Sequence, residues 1–154
     1  MIKCTNQDLE AVTTTNSGYD KLYKTEFDDI LITLELNQQR EQMQPFLKAY
    51  QDTKKALAEK YCDKDESGKP KIGNRGEYTF YQNPANLQKF QEKLNELLEA
   101  EVEMSGVSKV TISAKELRAA RKWSADDMGS ITKFINIKKE EATPPPAQKP
   151  KKKK

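Results

Sequence analysis

"DKDESGKP", residues 63–70, is the stretch on which the fold turns, because it reads either as a metal loop or as a chain reversal. Asp63, Asp65 and Ser67 stand at the first, third and fifth positions of an EF-hand-like loop, with Gly68 at the sixth. The closing half departs from that pattern. Asn74 occupies the twelfth position, where a bidentate Glu is required, and Pro70 the eighth, where an aliphatic residue belongs. Asp63, Asp65 and Ser67 are therefore the metal candidates by spacing, but Asp, Ser and Gly are also turn and cap residues, and the turn is the preferred reading. No metal or other cofactor is expected.

A turn here must join what lies on either side. Upstream, Leu36, Met43, Tyr50 and Leu57 recur every seven residues, with Arg40, Leu47, Lys54 and Tyr61 in the alternate seam. This predicts a long helix from about 27 to 62, kinked at Pro45 or restarted there. Downstream, "KPKI" can pair with "EYTFY" across "GNRG" as a β-hairpin. Asn83 and Pro84 then read as the N-cap and first residue of a second helix, with Leu87, Phe90, Leu94, Leu97 and Leu98 along one stripe. The expected architecture is mainly α: an antiparallel helical hairpin with a small β-hairpin between the long helices, followed by short C-terminal helices. Leu47 and Leu94 are expected inside the joined face, which would be the main core.

The flanks are simpler. Thr5 with Asp8 forms a capping box for a short N-terminal helix that the run "TTTNSG" ends. "SGVSKVTI" reads as a loop and short strand, and "SAKE" and "SADD" start helices near 114 and 125. The last of these is expected to bury Met128, Ile131, Phe134 and Ile135. Trp123, between the two capping boxes, is expected as a buried joint between helices. Residues 1–139 then make one domain, and the Pro- and Lys-rich residues 140–154 a disordered tail, since they offer no core-forming side chain.

Composition narrows the chemistry. Hydrophobic residues make up 35% and charged ones 33% of the 154 residues, which favours an elongated helical shape over a large spherical core. The net charge of +3 belongs to the tail: five of the 27 basic residues are Lys149, Lys151, Lys152, Lys153 and Lys154, leaving the preceding chain with 22 against 24 acidic groups. Those five lysines are the candidate nucleic-acid contacts, each able to neutralise a phosphate without reading sequence. There is no histidine, which excludes Ser-His-Asp and Cys-His nucleophiles and histidine metal sites. "GKPKIGNRG" lacks the spacing of a phosphate loop. No catalytic residue is assigned, and the expectation is a protein that is not an enzyme. Two distant cysteines suit a reducing compartment, and no membrane-spanning run or signal-peptide core is evident.

The aromatic cluster Tyr78, Phe80 and Tyr81 offers a partner-contact candidate. These rings could stack bases or anchor a partner protein, with Tyr78 and Tyr81 as the contact residues. The preferred reading is a half-buried strand in which Phe80 packs on the helix ends and Tyr78 and Tyr81 lie half exposed.

Four segments carry a resemblance: "MIKCTNQDL" at 1–9, "MQPFLKAYQDTKKALAEKYCDKDESGKPKI" at 43–72, "YTFYQNPANLQKFQEKLNELLEAEVEM" at 78–104 and "WSADDMGSITKFI" at 123–135. In this order and spacing the chain resembles a family of small uncharacterised proteins of tailed bacteriophages, best known from phages of Gram-positive bacteria. The resemblance implies a helical hairpin body and a bacteriophage origin, with the host bacterial cytoplasm or the virion as its place. It assigns no catalytic or binding residue. The expectation that follows is a non-enzymatic accessory protein in virion structure or assembly, with a phage or host protein as partner. The alternative is a small effector that binds nucleic acid through the lysine tail or binds a host protein.

Overall fold

In the computed structural model residues 1–140 are described, and they are mainly helical. Strand β1 (Ile2–Thr5) leads into helix α1 (Asn6–Thr13), α2 (Gly18–Lys24) and the long α3 (Ile30–Tyr61). After the 62–83 connection come α4 (Pro84–Glu99), β2 (Glu101–Met104), β3 (Val110–Ser113), α5 (Ala114–Ala120), α6 (Ala125–Ile131) and β4 (Ile135–Lys138). β1 and β2 pair antiparallel, Ile2 opposite Met104, and β3 and β4 pair parallel, Val110 opposite Ile135. No helix among the described residues is long and apolar enough to cross a membrane.

The helix starts follow the local chemistry. Thr5, Ser113 and Ser124 close reciprocal capping boxes with Asp8, Glu116 and Asp127. The run Asn16-Ser17-Gly18 does more than break a helix. Asn16 turns the chain at a φ of 62°, and Ser17 caps α2 by accepting the amide of Asp20, so a helix that the sequence reading omitted begins there. Gly18 is fixed by packing: a Cβ on it would lie 2.7 Å from the backbone oxygen of Asp127, so only Gly lets α2 approach α6 this closely.

The long helix starts at Ile30 rather than 27, capped by Asp29, and runs through Pro45 as one element. The proline removes one amide from the ladder without ending the helix. Its buried face carries Ile32, Leu36, Gln39, Met43, Leu47 and Tyr50. Arg40 is exposed, its guanidinium 5.6 Å from the Tyr23 ring centre, and the Lys54 ammonium lies 5.9 Å from the Tyr50 ring centre and 2.7 Å from the Glu10 carboxylate.

The core corrects the expected hairpin interface. Ile2, Leu9, Tyr19, Leu22, Met43, Met104, Ile112, Ile131 and Phe134 are fully enclosed where α1, α2 and α3 meet the two small sheets. Leu47 belongs to this cluster. Leu94 does not: α4 touches α3 but has no buried residue, and only Leu97 and Leu98 reach the edge of the core. A stripe of leucines is not by itself a core: Leu94 stays half-buried because α4 lies at the edge of the cluster. The C-terminal reading is also revised. α6 ends at Ile131, Phe134 lies in the following turn, and Ile135 opens β4, although Ile131, Phe134 and Ile135 are buried as expected.

Polar groups tie these layers together. Asn6 donates its side-chain amide to the carbonyl of Leu97 at 2.8 Å, and its backbone amide to that of Ala100, satisfying the C-terminal end of α4. Asp127 accepts from the Lys21 ammonium at 2.7 Å and from the Ser124 amide. The Lys21 ammonium, then the Ser124 amide, hold its carboxyl down from 3.8 to about 2 against the opposing effect of burial. Since the folded value is the lower one, this contribution is complete above the unfolded pKa and drains away as pH falls from 3.8 to about 2. Urea denaturation of Asp127→Asn should therefore show a clear stability loss at pH 7 that shrinks towards pH 2. Equal losses at both pH values would refute the assignment.

Candidate functional site

The segment 62–83 closes the far end of α3 and α4, and Asp63 organises it. Its amide donates to the Thr79 carbonyl and its carbonyl accepts from the Lys71 amide, both at 2.8 Å. Its carboxylate accepts from the Thr79 hydroxyl, the Tyr81 amide and the Gln82 amide, each at 2.8 Å. Asp63 is buried. Burial opposes its charge, yet the Gln82 and Tyr81 amides and the Thr79 hydroxyl hold its carboxyl below the ordinary range.

Asp65 does the same work one turn further on. One of its oxygens takes the Ser67 amide, the Ser67 hydroxyl and the Lys69 amide at 2.7 to 2.9 Å. Gly68 and Gly76 supply the positive φ values of 80° and 78° that the two reversals need. The metal candidates Asp63, Asp65 and Ser67 are thus engaged in hydrogen bonds within the 62–83 segment. Among the described residues no group of three or more Cys, Asp or Glu is placed to share a metal ion.

Of the expected strand pair a single isolated bridge remains, Ile72 with Tyr78, while a second bridge, Lys64 with Pro70, closes the turn before it. Between "KPKI" and "EYTFY" no ladder extends beyond this bridge, and the Tyr81 and Gln82 amides donate to Asp63 instead. Reciprocal bonds between Lys64 and the Gln82 side chain hold the base of the loop.

The aromatic residues are sorted by this geometry. Phe80 stacks on Phe90 of α4 with ring centroids 4.9 Å apart, as the sequence led one to expect. Tyr78 is half-buried and donates its hydroxyl to Glu59 at 2.8 Å, and that carboxylate, with burial, raises its pKa. Tyr81 is 89% exposed, so the two candidate contact residues are brought to one end of the molecule but only Tyr81 is free. Ile72, 55% exposed, is an apolar residue of this tip that the sequence reading did not assign to a surface, and Leu87, expected on the apolar stripe of the second helix, is also exposed. The legible signal for Ile72 was a lone aliphatic residue between Lys71 and Gly73 in an otherwise polar turn.

The nucleic-acid candidates Lys149, Lys151, Lys152, Lys153 and Lys154 lie outside the described residues. Elsewhere, burial pushes the Cys4 thiol up to about 11, with the Asp8 carboxylate adding to it, so this cysteine is a core residue and a poor nucleophile at neutral pH. Compared with known proteins, the chain matches no family model, no curated protein and no solved structure.

Proposed function

We propose that the chain is a non-enzymatic bacteriophage accessory protein that acts by protein–protein contact in virion structure or assembly. In this reading α3 and α4 form an antiparallel arm rooted in the core, and the 62–83 tip meets a phage or host protein. The observation that carries it is the exposed Tyr81 on a backbone pinned by Asp63, with Ile72 also turned to solvent. A rigid loop that presents an aromatic and an aliphatic side chain loses little freedom on binding and has apolar area to bury. The bacteriophage context rests on the resemblance carried by residues 1–9, 43–72, 78–104 and 123–135.

A photo-crosslinking residue at position 81, introduced during infection, is the direct test. It should couple to one virion or host protein, while the same residue at exposed Asn95 should not. Mass spectrometry of purified virions then decides whether the protein is carried in the particle. Tyr81→Ala should lose the crosslinked partner yet leave the thermal midpoint unchanged, because a side chain this exposed has little native contact to lose. Equal crosslinking at 81 and 95 would overturn the tip as the contact surface. The second reading, an effector that holds nucleic acid, draws on the five terminal lysines. It predicts binding that weakens steeply with salt and vanishes when those lysines are replaced by glutamine.

A further inference from the structure

Away from the tip, a groove of about 500 Å³ opens between α5, α6 and β4. Leu117, Trp123, Met128 and Ile137 give it an apolar lining, and Arg118, Arg121 and Lys122 bring three cations to the same walls. Trp123 is half-buried here rather than enclosed, its indole N–H tied to the Leu117 carbonyl at 2.7 Å. The Arg121 guanidinium lies 5.3 Å from the Trp123 ring centre. Its Nε is buried and, among the described residues, finds no hydrogen-bond partner. An unpaired buried donor of a charged group is costly, so the groove is chemically incomplete.

The chain itself passes this groove as it leaves the fold. Ile137 of β4 is part of the lining, and the Glu140 carboxylate lies 3.9 Å from Arg118. The residues that follow are Glu141, Ala142, Thr143 and then Pro144, Pro145 and Pro146. We propose that Glu141–Ala147 occupies the groove in cis, with the Glu141 carboxylate on the arginine side and the proline rings on Trp123. Consecutive prolines favour the extended left-handed helix that docks on aromatic-lined grooves, and its ordering cost is low because the prolines already restrict the free chain. Four residues of such chain reach roughly 12 Å, more than the roughly 8 Å width that a volume of about 500 Å³ implies. A short tether gives an effective concentration on the order of millimolar, so a segment of only ~0.1 mM affinity is about nine-tenths bound. The tail up to Ala147 is then a docked strap rather than a free extension, and the lysines begin only beyond it.

Trp123 is the single tryptophan of the chain, so its fluorescence reads the groove directly. Acrylamide quenching of the full chain should be compared with a full-length variant carrying Pro144→Ser, Pro145→Ser and Pro146→Ser, which leaves residues 1–140 unchanged. The variant should quench about twofold more readily and emit further to the red. A synthetic peptide of residues 140–147, added to the variant, should restore protection saturably below about 1 mM, while wild type should ignore it. Identical quenching in the two proteins, or no saturable response to the peptide, overturns the proposal. Protection of wild type that grows with protein concentration overturns it too, since the segment would then occupy a second copy.

Discussion

Gln39→Leu should lower the unfolding free energy by about 3 kcal/mol or more, although it replaces a polar residue in a buried site with an apolar one of similar size. Gln39 is 2% exposed and its side chain is fully used. Its amide nitrogen donates to the Ser108 carbonyl at 2.9 Å and to the Phe134 carbonyl at 2.7 Å, and its oxygen accepts the Tyr23 hydroxyl at 2.9 Å. Leucine would orphan the Ser108 carbonyl, leave the Phe134 carbonyl only the Val110 amide at 3.3 Å and leave the Tyr23 hydroxyl only the Met43 sulfur. The cost is roughly 1–3 kcal/mol for each buried group left short before relaxation, of which apolar burial would recover only part. Gln39→Glu distinguishes this from a packing effect. It keeps the size but supplies acceptors where two carbonyls need donors, so it should cost at least as much at neutral pH and less in acid, where a protonated carboxyl can donate once. Chemical denaturation of the three proteins at pH 4 and pH 7 is the measurement. A neutral Gln39→Leu would show that Ser108 and Phe134 find other donors.

Asp63→Ala should release the tip while leaving the core folded. The mutation strips the Thr79 hydroxyl and the Tyr81 and Gln82 amides of their acceptor, and leaves the loop the backbone bonds of residue 63, the Lys64–Gln82 pair and two isolated bridges. Hydrogen exchange at Tyr81 and Gln82 should accelerate by about 100-fold, while amides of β1 and α2 keep their protection. Asp63→Asn keeps one acceptor oxygen and should lie between. The same variants bear on function, because a tip that works by rigid presentation loses affinity when Tyr81 is released, even though Tyr81 itself is unchanged. Uniform loss of protection across the chain would mean that the tip is part of the global folding unit.

These residues mark how far the sequence could be read. The two long helices, the turn between them and the caps of α1, α4, α5 and α6 were legible because each is specified locally, by a seven-residue recurrence, by Asn before Pro, or by a hydroxyl three residues ahead of a carboxylate, whereas the Asp29 cap of α3 was not read. The site of the core was not. Leu94 sits on as good a stripe as Leu47, yet one is enclosed and the other only half-buried, because burial is decided by what faces the helix. Leu47→Ala should accordingly cost about 2–5 kcal/mol and Leu94→Ala distinctly less, which chemical denaturation of the pair will show. The strands β1, β2 and β4 are four residues each, too short for alternation to stand out, and each pairs with a segment far away in sequence. Gln39 was passed over because a polar residue on a buried face carries no periodic signal of its own. At the tip, Asp63 was noticed for its charge, but its task is to gather backbone amides that only the folded loop brings near.

The pairing of β1 with β2 also sets a timetable. Ile2 meets Met104, Tyr19 packs edge-on against Phe134, and Lys133 reaches back to Asp8. At about 5–20 residues per second of synthesis, Tyr19 waits roughly 6–23 seconds before Phe134 has been added to the chain. During that interval α3 can form by itself, but Ile2, Leu9, Tyr19 and Leu22 have no lasting place to go. Contacts this distant along the chain slow folding and keep apolar surface open to other molecules. The nascent N-terminal segment is therefore a natural client for chaperones, and the protein should be recovered in greater soluble yield when translation is fast relative to aggregation or when a holding chaperone is supplied.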